Sequence, residues 1–209
     1  MTMHTRFRGY LPVIIDVETG GFDSRTDGLL EISAVIPKMN TAGLLEIDIT
    51  VTHQLRPFQG ANISPEALKF NQINMEDLLQ HGISEKQGLQ DMFKHIREKI
   101  KENGCTRAIL TGHNAAFDLS FLNAAVARTQ IKRNPFHPFS CLDTVSLGAL
   151  ALGETVLAKA VRAANIPFEN ERAHSAEYDA QKTAALFCYI INQFHQLGGW
   201  PKPLDTKSR

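Results

Sequence analysis

Apolar and polar positions along the 209-residue chain fall into stretches with the period of strands and stretches with the period of helices. Val13-Ile14-Ile15, within the apolar run Leu11 to Ile15, is β-branched and continuous, the mark of a strand buried on both faces. Gly20-Gly21 and the polar stretch Asp23 to Gly28 read as a loop. Leu29 to Ile36 predicts a second strand and Leu45 to Leu55 a third, joined through Asn40 to Gly43. These three read as an antiparallel meander. Ser64-Pro65-Glu66 then starts a helix, with a capping serine, proline at the first position and an acid at the positive end. Asn74 caps a second short helix. Ser84 opens a longer one, with Leu89, Phe93, Ile96 and Ile100 on one face and a stop at Asn103-Gly104.

The second half alternates. Ala108 to Thr111 predicts a fourth strand, Ala116 to Arg128 a helix, and Cys141 with Leu142 a short fifth strand. Helices are predicted at Asp143 to Leu152, Thr155 to Ala164 and Ala176 to Leu197, the last with Ala180, Ala184, Phe187, Ile191 and Phe194 facing inward. The expected fold is α/β: a mixed sheet of five strands, the first three a meander, with helices on both sides. One domain is expected over 1–200, with a flexible tail over 201–209.

Composition adds exclusions. Hydrophobic content of 43% and charged content of 21% are ordinary for a globular protein. Net charge is zero, so attraction for a polyanion has to come from local patches. Arg6 and Arg8 lie in an acid-free N-terminus, Arg107 begins the fourth strand, and the acid-free span after Asp118 holds Arg128, Lys132, Arg133 and His137. These are candidates for such a patch, and ordinary solvated surface explains any one of them equally well. Cys105, Cys141 and Cys188 are far apart and form no CxxC, which argues against a disulfide framework or a zinc site and fits a reducing cytoplasm. No apolar signal region is read at the N-terminus and no apolar run nears the ~20 residues of a membrane helix. A cytoplasmic location without a membrane is the expectation.

Three clusters carry the chemistry. Asp16 and Glu18 are two apart at a strand end, so their side chains leave on one face. Asp118 follows Phe117 where a strand gives way to a helix. His174 precedes Asp179 by five residues, placing the aspartate on the first turns of a helix and the histidine in the loop before it. Singly, each has a plainer explanation: a solvated acid pair, an acid at a helix dipole, a structural histidine. Together, four carboxylates beside buried elements repel one another unless positive charge lies between them. An all-oxygen donor set suits magnesium or manganese better than zinc. A histidine in a loop can move to meet a substrate water as a base. The constellation reads as a metal-dependent phosphodiesterase.

The order D-x-E, N-x-x-F-D, H-x-x-x-x-D resembles the motif set of the DEDDh family of 3′-to-5′ exonucleases, over about Leu11 to Phe194. The resemblance implies a ribonuclease-H-like fold. It implies two Mg²⁺ ions per active site, with Mn²⁺ substituting, held by Asp16, Glu18, Asp118 and Asp179, and His174 as base. Asp16-Val17-Glu18-Thr19-Gly20-Gly21-Phe22, Ser64 to Leu68 and His113 to Asp118 are most similar to bacterial members that trim RNA. That likeness implies that Thr19 and Gly20 read the terminal ribose and that Glu66 contacts the terminal base, slowing removal of cytosine. It further implies that Phe22, Phe70, Phe117 and Phe139 stack on or wedge against bases. The likeness also implies a homodimer in which basic residues of one subunit hold RNA for the other's site, and Arg6, Arg8, Arg107 and Lys132 lie where that pattern would put them. The implied substrates are structured RNAs with short 3′ overhangs, tRNA precursors among them, and single-stranded DNA 3′ ends, with nucleoside 5′-monophosphates released. The rival readings are a proofreading domain, an oligoribonuclease for very short RNA, and a binding module that has lost catalysis.

Overall fold

The structure, a computed structural model, describes residues 1–198. The tail expected over 201–209 lies outside the described residues.

The predicted meander forms as β1 (Tyr10–Thr19), β2 (Leu29–Met39) and β3 (Leu45–Arg56), each antiparallel to the next. All three run past their predicted ends, because continued pairing carries polar residues such as Glu18, Lys38 and Arg56 that an apolar pattern leaves out. Pro37 is tolerated inside β2 at a register shift between Ile36 and Pro37, where the ladder is already broken. After the helices α2 (Pro65–Phe70) and α3 (Met75–His81), both capped as predicted by Ser64 and Asn74, the chain makes a two-residue strand, β4 (Ile83–Ser84), parallel to Leu55 and Arg56. Among the described residues the sheet thus has six strands and not five. A two-residue strand has no periodicity for a sequence pattern to register.

Helix α4 (Glu85–Glu102) leads to β5 (Arg107–Gly112), parallel to β1, and α5 (Ala115–Thr129) leads to β6 (Phe136–Asp143), parallel to β5. The predicted Cys141–Leu142 strand is eight residues long. Its first half, with exposed Pro138 and Phe139, lies on the sheet edge, where a proline costs no ladder bond. The strand order is β4-β3-β2-β1-β5-β6. Helices α6 (Thr144–Leu152), α7 (Leu157–Ala163) and α8 (Ala176–Gln196) follow. The pattern also missed a four-residue helix preceding β1, α1 (Met3–Arg6), whose capping box is made by Thr2 and Thr5.

Cross-strand partners define the two faces. His53 meets Asp91 of α4, and a side chain at Gly88 of α4 would strike Leu55. Gln54, which alternates with these two, is paired with Glu31, and Glu31 meets the Glu177 amide of α8. Helices α4 and α8 therefore cover opposite faces of the meander. Fully buried Ile14, Ile32, Ile36, Phe93, Phe121 and Phe187 fill the interior between these layers. Each such side chain contributes about 1.5–3 kcal/mol relative to exposure. The result holds rigid the end of β1 where the acidic residues lie.

Candidate active site

Asp16 and Glu18 point from β1 toward α8 because α8 covers that face. Asp179, on the first turn of α8, meets them: Asp16, Glu18 and Asp179 offer carboxylate oxygens that all lie within 4.8 Å of one another. Asp118 lies outside this set yet is close enough for its charge to act on Asp16 and Glu18. It is buried near the start of α5.

The electrostatic strain is large. Burial, followed by the charges of Asp118 and Asp179, pushes Asp16 well above the usual carboxylate range. Burial, then Asp179 and Glu31, pushes Glu18 up to about 8. Burial also raises Asp118 and Asp179, with the His174 amide pulling Asp179 back down. Asp16 is only half-buried, so water or a cation reaching it relieves part of this strain. Oδ1 of Asp179 is buried without a hydrogen-bond partner among the described residues. An orphaned carboxylate oxygen beside two more carboxylates, with no nitrogen or sulfur donor in the cluster, fits a hard divalent cation.

His174 adopts a left-handed backbone, φ 66°, and its amide donates to Oδ2 of Asp179 at 3.0 Å. Its exposed ring lies 4.0 Å, centroid to centroid, from the ring of Phe70. Phe22 is 92% exposed, Phe139 78% and Phe70 60%, too much for anchors of the core. Phe117 differs: it is half-buried, packed against the core and edge-on to Phe22 at 6.4 Å. Glu66 is exposed on the first turn of α2.

The loop after the D-x-E pair is fixed by the chain itself. Register slips between Glu18 and Thr19, so Leu30 of β2 is an extra residue and β1 bends just past the carboxylates. The Thr19 hydroxyl donates to the Gly21 carbonyl, and Asn71 holds the Thr19 carbonyl. A Cβ on Gly20 would lie 2.7 Å from the Asn62 carbonyl oxygen, so glycine is required there by the crossing segment 62–64.

Two basic residues are not where an RNA patch needs them. Arg6 is buried, its guanidinium donating to the Ile191 carbonyl at 2.9 Å and meeting His195 Nδ1 at 3.1 Å. It ties the N-terminal helix to α8. Arg128 makes a two-point pair with buried Glu85, donates to the Ser24 carbonyl and covers the ring of Phe58. Arg8, Arg107 and Lys132 are exposed, at the end of the sheet opposite the carboxylates.

Two acids that sequence reading did not single out belong to the site's frame. Asp143, at the end of β6, accepts from the amides of Asn114 and Ala115 at 3.3 and 3.2 Å, as well as from Val145. It thereby caps α5, whose own N-cap residue Asn114 is left-handed and makes no side-chain bond. Glu31 is buried directly opposite Glu18. An aspartate just before a helix is a recognisable cap; a glutamate within a strand gives no such signal. A cleft of about 450 Å³ opens beside the site, lined among others by Glu31, Asn71, His174 and Glu177.

Carboxylates crowded at a strand end and a histidine at their edge, its ring against exposed Phe70, are the equipment of a nuclease hydrolysing phosphodiester bonds. Residues 13–187 match the model of the RNase_T exonuclease family, and the chain belongs to that family. Ribonuclease T of Salmonella typhimurium (strain LT2) is 53% identical over 201 residues, covering 96% of this chain and 94% of that protein. Ribonuclease T of Salmonella typhi matches to the same extent. Among solved structures, the nuclease domain of 3′hExo, a DEDDh family member bound to rAMP, superposes with a TM-score of 0.69 at 19% identity, over 87% of this chain and 92% of that one. E. coli exonuclease I with a dT13 oligonucleotide gives 0.68 at 16% identity, over 90% of this chain but 42% of that one. The ribonuclease-H-like expectation is thereby met, with one strand more than predicted.

Proposed function

We propose that this exonuclease trims RNA from the 3′ end, removing short single-stranded overhangs from structured RNAs such as tRNA precursors, and that it also acts on single-stranded DNA ends. The observation that carries the reading is the oxygen cluster of Asp16, Glu18 and Asp179 beside His174, whose ring lies against exposed Phe70. The curated relatives named Ribonuclease T support RNA as substrate. Same-fold structures holding rAMP and dT13 support both nucleic acids.

Asp16, Glu18 and Asp179, with Asp118 serving a second ion, would hold two Mg²⁺ ions, for which Mn²⁺ substitutes. Such ions, when bound, neutralise charge on the attacking and leaving oxygens of an in-line displacement. His174 takes the proton of the attacking water. In the structure its ring covers Phe70, so a terminal base that stacks on Phe70 displaces the imidazole as it arrives. Thr19 and Gly20 face the terminal ribose through backbone groups, and Glu66 meets the terminal base. Phe22, Phe117 and Phe139 contribute ring faces and edges to the bases behind it.

Arg8, Arg107 and Lys132 serve the partner's site in a homodimer working in the cytoplasm. Six residues of β1 separate Tyr10, the register partner of Arg107, from Asp16, about 20 Å of strand. Residues that distant from the cleft cannot hold the last nucleotides entering it, whereas a second copy can. A monomer by light scattering that retains full activity defeats this part.

The test is a stem-loop RNA with a 3′ overhang and a 5′ label, incubated with Mg²⁺ or with EDTA. The expected result is a ladder shortening by single nucleotides, stopping near the duplex, abolished by EDTA and slowed at a terminal cytosine. Tight binding without cleavage refutes the catalytic reading. Cleavage only of very short RNA, or only of DNA, refutes the substrate assignment.

A further inference from the structure

Glu31 is the third residue of β2, where its neighbours Leu29, Leu30 and Ile32 are fully buried, and it is itself 8% exposed. Its register partner across β1 is Glu18. Like charges directly opposite each other destabilise a sheet, so the fold alone gives no reason for a carboxylate here. What it meets is the start of α8.

Helix α8 is 21 residues long, and its N-cap residue, Ser175, makes no side-chain capping bond. The first backbone bond of the helix runs from the Asp179 amide to the Ser175 carbonyl, 2.9 Å. The amides of residues 176–178 therefore have no partner within the helix. Oε1 of Glu31 accepts from the Glu177 amide at 3.4 Å, and the nearby Ala176 amide also draws the carboxyl down against the effect of burial. A negative group at this end is favoured by the helix dipole as well. Two residues farther along stands Asp179, whose Oδ2 holds the His174 amide. Glu31, the first turn of α8, Asp179 and the left-handed His174 thus form one connected chain of bonds. Asp143 treats α5, which carries Asp118, in the same way.

We propose that Glu31 is a positioning residue: it caps α8 from the neighbouring strand and thereby sets Asp179 and His174 against Asp16 and Glu18. The docking rests on geometry alone; its importance for catalysis rests on the nuclease reading above.

The test compares Glu31→Met, which keeps the bulk and removes the acceptor, with Glu31→Gln, which keeps an acceptor and removes the charge. Amide hydrogen exchange on the metal-free protein reads the docking. Mn²⁺ binding by calorimetry reads the ligand geometry, and steady-state cleavage of a single-stranded RNA reads catalysis. Glu31→Met should speed exchange at 176–178 about tenfold or more while residues 183–190 keep wild-type protection. Its Mn²⁺ affinity and kcat should fall about 10- to 100-fold, the usual loss when a ligand's supporting partner is removed, with KM within about twofold. Glu31→Gln should restore all three to within about threefold. Unchanged exchange in Glu31→Met overturns the proposal. So does Glu31→Gln with wild-type exchange but lost Mn²⁺ affinity, which makes Glu31 a ligand; this second arm decides alone if Glu31→Met does not fold. Wild-type protein that cleaves nothing sinks the nuclease reading, while exchange and Mn²⁺ binding still decide Glu31.

Discussion

Replacing Glu18 by glutamine should make the metal-free protein more stable at pH 8 than the wild type, and the difference should vanish toward pH 5. Burial and the neighbouring carboxylates lift Glu18 from its ordinary 4.5 to about 8. A carboxyl raised in this way favours the folded state in its protonated form. Its contribution is complete below 4.5, where folded and unfolded chains are both protonated, and is lost as pH rises toward 8. At 1.36 kcal/mol per pH unit the full span is on the order of 5 kcal/mol, and the part falling between pH 5 and pH 8 about 3–4. Water entering the half-open cleft relaxes this, so about 1–2 kcal/mol is the expected residue, or roughly 2–8 °C in Tm for a chain of this size. Every other titrating group is shared by the two proteins, so the difference of their Tm values across pH isolates the cluster. The assay is thermal unfolding by circular dichroism in EDTA at half-unit pH steps. Tm of the wild type should fall below that of Glu18→Gln as pH rises. Millimolar Mn²⁺ should lift the wild type at pH 8 by more than it lifts the variant. Parallel Tm curves between pH 5 and pH 8 refute the claim that the carboxylates repel one another in the folded protein.

Arg128→Ala should cost about 3 kcal/mol, because it strands buried Glu85 and frees the Ser24 carbonyl; a Tm within 2 °C of wild type, by the same assay, contradicts it. Arg6→Ala should lower stability by about 1.5–3 kcal/mol through loss of the bond to Ile191, leaving RNA affinity of the folded protein unchanged. Weakened binding at unchanged Tm would return Arg6 to the RNA patch. Phe22→Ala should leave Tm unaltered and raise KM about fivefold or more, read by steady-state cleavage of labelled RNA. His174→Ala should keep RNA binding and lose at least about 100-fold in kcat; wild-type kcat removes His174 as the base.

What the sequence disclosed depended on whether a signal was local. β-branched and apolar runs marked β1 to β3 and β5, and the caps Ser64, Asn74 and Ser84 opened the helices they were assigned. Asp16 and Glu18 were legible as a pair because the two-residue period of a strand fixes their common face. Asp179 was legible because the helix start fixes its turn. Pairings across great distances in sequence were not. Arg6 looked solvated in an acid-free N-terminus, yet its partner, the Ile191 carbonyl, lies 185 residues away. Arg128 looked like part of a basic surface until Glu85, 43 residues earlier, was found beneath it. Glu31 had the appearance of a polar interruption in an apolar strand, since its role is defined by an amide 146 residues later. Strand β4 escaped because two residues carry no period.

These long-range bonds share a logic. A cluster of buried acids is electrostatically strained in a metal-free protein, since each carboxylate raises the cost of ionising the next. Two of the four, Asp118 and Asp179, lie near the beginnings of helices whose N-cap residues make no side-chain bond. In each case a further acid from an adjacent strand, Asp143 or Glu31, takes the free amides. Adding negative charge to an acidic site is costly, and a neutral cap from Ser or Asn would satisfy the same donors. The strand-borne acids do something a local cap cannot: they bind the helix end to the sheet that carries Asp16 and Glu18. Precision between ligands on separate elements is what a cation needs, and helices held only by their apolar faces can slide by fractions of a residue. The frame of the site is therefore written in acids that touch backbone amides and in arginines that leave the surface, as much as in the carboxylates that face the cleft.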